Sequence, residues 1–505
     1  MNGKVHWADV YASEVPQDRK HRIATGITPS GPIHIGNMRE VLTGDLVFKA
    51  IRDRGLEAEL LYIADDFDPL RKVYPFLPES FAAYVGRPVS DIPCPCGGCR
   101  NYAEHFLGPF LEAIEELDIR PHVIRSSEEY RRGSYTDEIR TAITHAGEIR
   151  SILERISGRT LPPEWSPFYP ICSICGRISN ARILEHEPEK HLVRYRCSCG
   201  NEGIADYSKG KGKLVWRVDW PMRWAHFGVT VEPFGKDHAS AGGSWDTGRE
   251  IAKKVFGVMP PFPIVYEWIS LKGKGEMHSS KGIAITIGEM LEIVPPEVLR
   301  YLIVRTKPER TIDFDPGMGL ISLIDEYDRL AAEGQSREFA LSKISSIPTR
   351  IPFRHMVTVV QIARDDRGLF QCLSRSGYDI RDYENILGQA KRVRIWLKKY
   401  APEFVKFSVK ERLPPQVSEL GDDERAALEE YLEHLRSLKS WHAEELHNGV
   451  YMVAERRGMN AAKIFSAIYL VFLGQRQGPR MGWFLEAMGR DPVLRRLKEA
   501  VKGAH

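Results

Sequence analysis

Neither sign of charge dominates this sequence: 71 Lys and Arg stand against 68 Asp and Glu over 505 residues, a formal net charge of +3. Long apolar runs are missing too. The longest near-continuous one, Ile464 to Leu473, falls short of the roughly 18–20 residues that a membrane-spanning helix needs. The N-terminal stretch MNGKVHWADVYASEVPQD lacks the basic-then-apolar architecture of a secretory leader. Cysteine is sparse, with eight in all, and seven of these sit in two clusters. That distribution does not suit a disulfide-built secreted fold. Together these absences argue against secretion and membrane partners and lead to the expectation of a cytoplasmic protein. No repeat or low-complexity tract stands out, and 43% hydrophobic with 10% aromatic residues excludes a disordered chain. The length predicts about three domains.

The near-neutral total conceals a division. Residues 331–505 hold 29 basic and 22 acidic side chains, a net of +7, whereas residues 1–330 carry a net of −4. Ordinary variation between domains accounts for such a split, and so does a small-molecule site joined to a polyanion-binding surface.

Residues 21–65 read as a parallel β-α-β unit. A short strand, His21 to Thr25, enters the loop Gly26-Ile27-Thr28-Pro29-Ser30-Gly31-Pro32. A helix follows with Val41, Leu42, Leu46, Val47, Ala50 and Ile51 on one broad face, and it ends at Gly55, where a left-handed cap is easiest. Leu60 to Ala64 is a continuous apolar run, as in a strand buried on both faces. Residues 121–125, 213–218 and 263–266 predict further strands separated by helices. The expected fold is α/β: a Rossmann-type doubly wound parallel sheet, with ligands at the carboxyl ends of its strands. From about residue 330 strand signals fade and amphipathic helices take over, as in 425–438 and 461–473. This predicts a catalytic domain over 1–330, with an insertion at 70–212, and an all-α region over 331–505.

The insertion holds the cysteine clusters. Cys172-Ser-Ile-Cys175 and Cys197-Ser-Cys199 are thiolate pairs separated by 21 residues, each followed by a glycine, Gly176 and Gly200. This is zinc-ribbon spacing, in which each pair takes two corners of a tetrahedron. Cys94, Cys96 and Cys99 with His105 offer three thiolates and one imidazole, a less regular set. Disulfides or buried thiols are the alternative for Cys172 to Cys199, and reactive or buried thiols for Cys94 to Cys99. Saturated sets with no open position point to structural Zn²⁺. Cys372 stands alone and reads as a core residue.

The sharpest feature is Thr28-Pro29-Ser30-Gly31-Pro32-Ile33-His34-Ile35-Gly36-Asn37, between the first strand and the first helix. There, oriented N–H groups and the helix dipole receive phosphate. These residues resemble the HIGH signature of class I aminoacyl-tRNA synthetases, with Asn37 in the final position. The segment Met277-His278-Ser279-Ser280-Lys281-Gly282 is similar to the partner KMSKS loop. Glu276 and His278 replace the Lys and Ser expected at its head, which leaves Lys281 as the phosphate ligand, with Lys274 and Lys272 in reserve. With Val218-Asp219-Trp220-Pro221-Met222-Arg223-Trp224, Phe234-Gly235-Lys236-Asp237-His238, Gly242-Gly243-Ser244 and GQRQGPRMG at 474–482, most of the chain resembles a class I lysyl-tRNA synthetase, the form typical of archaea and some bacteria.

The resemblance implies a lysine–tRNA ligase. Lysine and ATP would form lysyl-adenylate with Mg²⁺, and the lysyl group would pass to the 2′-hydroxyl of the terminal adenosine of tRNA(Lys), with tRNA required for activation. The lysine carboxylate is already ionised, so catalysis reduces to positioning and charge neutralisation. His34, Asn37 and Lys281 are the catalytic candidates. Pro29, Ser30, Gly31, His34, Gly36, Asn37, Gly235, Asp237, His238, Gly242, Gly243, Ser279, Ser280 and Lys281 are the ATP candidates. A buried ammonium requires an acceptor. Glu40, one turn beyond Gly36, is the first choice, with Tyr266 adding a hydroxyl, Gly26 and Thr28 at the α-amino end, and Trp220 and His238 as walls. Helix-dipole compensation is the alternative for Glu40 and core packing that for Tyr266. Asp65-Asp66-Phe67-Asp68 after its strand reads equally as part of the site or as surface capping.

The basic helical region would read tRNA, with Lys391, Arg392, Arg394, Trp396, Lys398 and Lys399, or Arg476, Arg480 and Trp483, combining charge with an aromatic ring. Solvated helix faces are the alternative there. Rival readings are a glutamate or glutamine synthetase, an adenylyltransferase of the same nucleotide-binding superfamily, and a zinc-ribbon RNA-binding module. Oligomeric state stays open, a monomer included.

Overall fold

The computed structural model describes residues 5–502 apart from 179–180, 274, 277–284 and 346–350. Its centre is a five-stranded parallel sheet of β1 (His21–Ile27), β2 (Ala58–Ala64), β3 (His122–Arg125), β4 (Val231–Gly235) and β5 (Phe262–Tyr266). The spatial order is β5-β4-β1-β2-β3, so the chain reverses its direction of travel across the sheet between β1 and β4. A crevice opens at such a switch point, at the carboxyl ends of the strands. Here the separation is pronounced. β1 pairs with β2 along all seven residues but meets β4 at one position, Ile23 with Val231.

The first crossover forms as the sequence predicts. Helix α1 (Ile35–Asp53) buries Val41, Leu42, Leu46, Val47, Ala50 and Ile51 completely, and Gly55 adopts φ +83° beyond its end. Strand β2 is apolar on both faces because it lies inside the sheet.

One expectation about strands needs correction. Residues 213–218 are not a strand of the main sheet. Gly212–Leu214 pairs antiparallel with Phe168–Pro170 in a separate two-stranded ribbon, and from Trp216 the chain is helical as α2 (Trp216–Phe227). A six-residue run holding Leu214, Val215, Trp216 and Val218 is ambiguous between strand and buried helix. The deciding signal is the i,i+4 spacing of Trp216, Trp220 and Trp224 and of Asp219 and Arg223. The fourth strand is instead β4, whose Glu232 and Pro233 conceal it. Both are tolerated because the β1 side of β4 is open beyond Val231.

Residues between β2 and α2 contain the cysteine clusters and a three-stranded antiparallel sheet, Ala181–Glu187, Leu192–Cys197 and Glu202–Asp206. After β5, strands Ile269–Leu271, Gly275–Glu276 and Ile312–Phe314 form a small sheet flanking the segment of the second signature.

The chain divides into two units. The first comprises residues 1–291, 296–314 and 334–345, and the second comprises 292–295, 315–333 and 346–505. The second unit is helical among the described residues. Its core is built by helices such as Asp422–Ser437, Ala443–Arg457 and Ala461–Leu473, with Leu428, Tyr431, Leu446, Val450, Ile468 and Phe472 buried. Among the described residues no helix is long and apolar enough to cross a membrane.

Arg39 locks the first unit around α1. Its side chain is 1% exposed and donates to the carbonyls of Trp268, Lys307, Pro308 and Arg310 at 3.2, 3.1, 3.1 and 2.7 Å, as well as to that of Glu267. Burial lowers its pKa to about 10, which still leaves the guanidinium charged. Arg39→Met would leave several buried carbonyls without donors. Urea unfolding should show a loss of about 3 kcal/mol or more, larger than for Arg54→Met beyond the end of the helix.

Candidate active site

A cavity of about 650 Å³ opens at the carboxyl ends of β1, β4 and β5. Ser30, His34, Gly36 and Asn37 line it from the first loop and helix, Gly235, Asp237 and His238 from the end of β4, and Tyr266 and Trp268 from the end of β5. Gly26, Thr28 and Glu40 line the same cavity. A smaller, deeper recess of about 50 Å³ runs on from it between β1 and β4, walled by Trp216, Trp220, Trp224, Phe234 and His238.

The start of α1 is a capping box. His34 Nδ1 accepts from Gly36 N at 3.1 Å, and Asn37 Oδ1 accepts from His34 N at 3.3 Å. A Cβ on Gly36 would sit 2.9 Å from the His34 ring, so glycine is what lets the imidazole lie over the first turn. Ile35 N donates to Ile285 O at 3.2 Å, and His34 bridges to Thr286. The chain just after the second signature is therefore pinned to the first signature. Ser279, Ser280 and Lys281, with Lys274, lie outside the described residues. Lys272 is exposed on the preceding turn.

Glu40 is held from two sides: Oε1 accepts from Gly26 N at 2.7 Å and Oε2 from the Tyr266 hydroxyl at 3.0 Å. Burial pushes its pKa up to about 8. The Gly26 N–H and the Tyr266 hydroxyl oppose that rise, while Glu232 and Asp237 add to it. An acid kept partly protonated by burial and by neighbouring carboxylates is a receptor for a cation. Trp220 Nε1 donates to Glu232 at 2.8 Å, and Trp224 Nε1 donates to its other oxygen. Burial raises Glu232 to about 7 against these two donors. His238 shares a hydrogen bond with Ser244 at 2.7 Å, and burial lowers its pKa.

Asp65 and Asp68 belong to the site and not to the surface. Thr28 Oγ1 donates to Asp68 at 3.1 Å, and Lys213 Nζ reaches Asp68 and Asp219 at 2.9 Å each. Arg223 pairs with Asp65 and Asp219, and all five side chains are nearly inaccessible. Burial works against the Asp65 carboxylate, but Arg223 and Lys213 outweigh it and keep its pKa below the ordinary range. Glu232, Lys213 and Arg223 were not anticipated as site residues. Reading 213–218 as a strand concealed the Asp219–Arg223 helical pair that would have pointed to them.

Four of the proposed nucleotide residues, Pro29, Gly31, Gly242 and Gly243, do not line the cavity. Gly31 packs on Phe76, and Gly242-Gly243 lead into helix α3 (Ser244–Lys254).

The cysteine clusters assemble as sets of four donors. Cys172–Cys199 and Cys175–Cys197 Sγ pairs are 3.7 Å apart. In the other set Cys96–Cys99 and Cys99–His105 Nδ1 are 3.8 Å apart, Cys94–His105 Nδ1 is 3.6 Å, and Cys94–Cys96 is 3.1 Å. A tetrahedron of sulfurs around zinc has edges of about 3.8 Å, so both donor sets fit such an ion. None of the eight ligands lines the cavity.

A parallel sheet whose switch point carries a His-x-Gly helix start beside a buried recess is the arrangement of a class I aminoacyl-tRNA synthetase catalytic domain, and the comparisons with known proteins agree. The family described as tRNA synthetases class I (K) matches residues 5–345, and an anticodon binding domain matches 401–501. The chain is 48% identical to a lysine–tRNA ligase of Methanosarcina barkeri over 99% of this chain and 98% of that one. It is 45% identical to a lysine–tRNA ligase of Archaeoglobus fulgidus, over 98% and 100%. A glutamate tRNA ligase structure from Elizabethkingia meningosepticum aligns with a TM-score of 0.50 at 14% identity, over 96% of this chain and 99% of that one, and shares the fold. The chain belongs to the class I lysyl-tRNA synthetase family.

The raised pKa of Glu40 makes a signed prediction. Below about pH 8 the empty recess holds a proton that an incoming ammonium must displace. A lysine side chain, with an ordinary pKa near 10.4, should therefore bind more tightly as pH rises from about 6.5 to 8.5. Without ligand the sign is opposite. The unfolded carboxyl ionises near 4.5, so this group's contribution to stability falls as pH climbs from there towards 8. Glu40→Gln should flatten both slopes, read by calorimetric titration with lysine and by thermal melts across pH.

Proposed function

We propose that the first unit activates lysine with ATP in the cavity at the β1–β4 switch point, and that the lysyl group then passes to the terminal adenosine of tRNA(Lys) for protein synthesis. The observation that carries this reading is Glu40. It is a buried carboxylate with two neutral donors, where the cavity meets a recess walled by tryptophans, and it matches an alkyl chain ending in an ammonium. The aliphatic part of lysine would lie against Trp220, Phe234 and His238. Its α-amino end would face Thr28, fixed by Asp68. A glutamate substrate would set a second acid against Glu40, and a glutamine would bring no positive charge to it.

ATP would lie along Ser30, His34, Gly36 and Asn37, with its adenosine towards Gly235, Asp237 and His238. The lysine carboxylate attacks the α-phosphorus, the bond to the bridging oxygen breaks, and pyrophosphate leaves with the negative charge. His34, Asn37 and the first-turn amides stabilise that charge, and Lys281 is the second-signature lysine assigned to the leaving phosphates. Mg²⁺ would supply further neutralisation of the triphosphate. The 2′-hydroxyl of the terminal adenosine then attacks the lysyl carbonyl and displaces AMP. The second unit, with its anticodon-binding match and the basic excess of residues 331–505, would hold the tRNA, and the cytoplasm is the corresponding compartment. In that unit Trp396 is a core residue whose Nε1 donates to Pro316 O at 2.8 Å, so the Lys391–Lys399 stretch offers charge without an exposed ring.

Pyrophosphate exchange with each of the twenty amino acids, with and without tRNA, tests this reading. Exchange should require both lysine and tRNA. Exchange driven by glutamate, or indifferent to lysine, would overturn it. Glu40→Gln should raise the KM for lysine about 100-fold or more, since a buried ammonium loses its counter-charge.

Zn²⁺ would be held by Cys94, Cys96, Cys99 and His105, and by Cys172, Cys175, Cys197 and Cys199, and would staple the insertion. Elemental analysis should find about two zinc per chain, and Cys175→Ser should remove one. That variant should lower the melting temperature while leaving the KM for ATP nearly unchanged.

A further inference from the structure

Lys213 lies at the centre of the buried network beside the substrate cavity. It is 3% exposed, and its Nζ stands 2.9 Å from Asp68, 2.9 Å from Asp219 and 3.5 Å from Asp65. Arg223 pairs with Asp65 and Asp219, and the Tyr130 hydroxyl also donates to Asp219. Asp68 takes its charge partner from Lys213. The backbone of Lys213 belongs to the cysteine-bearing insertion. It is held in the two-stranded ribbon opposite Tyr169, and the next residue, Leu214, donates its N–H to the Tyr130 hydroxyl at 3.2 Å.

The two oxygens of Asp68 face different partners. Oδ1 accepts from Lys213, and Oδ2 accepts from the Thr28 hydroxyl at 3.1 Å. Asp68 and Thr28 both line the cavity, whereas Lys213 does not. Burial raises the Asp68 pKa, Lys213 opposes that rise, and Asp65 and Asp219 add to it. Burial also works against the Lys213 ammonium, but the three carboxylates outweigh it and keep its proton bound. An ammonium has donors only, and an ionised carboxylate only accepts. With Lys213 on one side of Asp68, the Thr28 hydroxyl must therefore donate on the other. Its proton is then committed, and its lone pairs remain for a donor in the cavity.

We infer that Lys213 is a positioning residue for the amino-acid substrate: by pairing with Asp68 it fixes the direction of the Asp68–Thr28 hydrogen bond, so that Thr28 presents an acceptor to the substrate α-ammonium. Lysine then meets an acceptor at each end, the Glu40 carboxylate for its side chain and the Thr28 hydroxyl for its α-amino group. The direction is set from the insertion, through a side chain that touches no substrate. A lysine that only offset buried charge would stabilise the fold and leave the direction of the Thr28 bond without consequence.

This inference rests on the reading that the α-amino group of lysine faces Thr28, and the experiment separates the two. In pyrophosphate exchange with tRNA present, the KM for lysine is compared with the inhibition constant of 6-aminohexanoate. That probe keeps the carboxylate and the side-chain ammonium but lacks the α-amino group. Thr28→Val should raise the KM for lysine about 10- to 100-fold and leave the inhibition constant unchanged. Asp68→Asn should do the same, because the amide oxygen must turn to Lys213 and the NH₂ to Thr28, which reverses the bond. Adding Lys213→Met to Asp68→Asn frees the amide to turn its oxygen to Thr28. It also leaves two acids against one cation where the wild type has three against two, so the net buried charge is kept. The double variant should regain about 3-fold or more in the KM for lysine over Asp68→Asn. Lys211→Met, at an exposed position beside the ribbon, should match wild type. Circular dichroism melts confirm folding. Should the double variant not fold, Lys213→Gln alone replaces it: Asp68 then takes up a proton, donates to Thr28, and should raise the KM for lysine with the inhibition constant unchanged. No recovery in the double variant, as direct contact of Asp68 with the α-ammonium would give, overturns the role of Lys213. So does an Asp68→Asn that weakens both ligands equally or neither. Thr28→Val with the same effect on both ligands, none included, overturns the underlying reading.

Discussion

A carboxylate taken out of water must be given donors or a cation, and the fold around Glu40 is organised by that requirement. The Gly26 N–H at the end of β1 and the Tyr266 hydroxyl at the end of β5 each satisfy one of its oxygens. Neither brings a positive charge, and burial with Glu232 nearby keeps the proton bound up to about pH 8. The recess thus holds a buried acid with no cation beside it, and an alkylammonium would supply one. The donors come from the two strands that flank β4, and the acceptor from the helix between β1 and β2. The geometry therefore exists only when the parallel sheet has closed.

The aromatic wall depends on the same economy of charge. Glu232 on β4 receives the indole N–H groups of Trp220 and Trp224, so two large rings are fixed edge-on to a strand that is open on the β1 side. Beneath them Asp65, Asp68 and Asp219 share Lys213 and Arg223 in a network with little solvent access. Lys213 is on the short strand that closes the cysteine-bearing insertion, and Asp68 holds Thr28 of the nucleotide loop. The insertion is therefore bonded, through one lysine, to a residue that lines the substrate cavity. Breaking such a network at one member leaves uncompensated buried charge, so the insertion and the site are energetically one piece.

The second unit solves a different problem with different groups. Its core is aliphatic, and its aromatic rings near the 475–480 loop are only partly covered, unlike Trp396, which the helical packing consumes. Arginine appears there as a planar partner for rings, over Trp483, and as an ion-paired donor, with Glu424. The first unit buries its Asp65, Asp68, Asp219, Lys213 and Arg223 network beside the cavity. Arg476 and Arg480 of the second are exposed.

Local patterns decided much of this protein. The β1-loop-α1-β2 crossover, the loop placing His34 and Asn37 at a helix start, the two sets of metal donors and the basic helical half all follow from spacing over short windows. Such windows encode backbone preference and adjacent ligands directly. Glu40 and Tyr266 were reachable because one lies a turn into a helix that begins at the site and the other ends a strand that leads to it. Strand β4 was not, since a Glu and a Pro within five residues read as a loop until the sheet leaves one of its sides unpaired. The partners of Asp65 and Asp68 were not either. Their cations, Lys213 and Arg223, stand well over a hundred residues away along the chain, and only packing of the sheet against α2 makes charge pairing cheaper than solvation. What the amino-acid sequence determined alone was which groups are available and how neighbouring ones are spaced. What the tertiary structure decided was which of them leave water together, because that cost is set by the surroundings of each group and not by its identity.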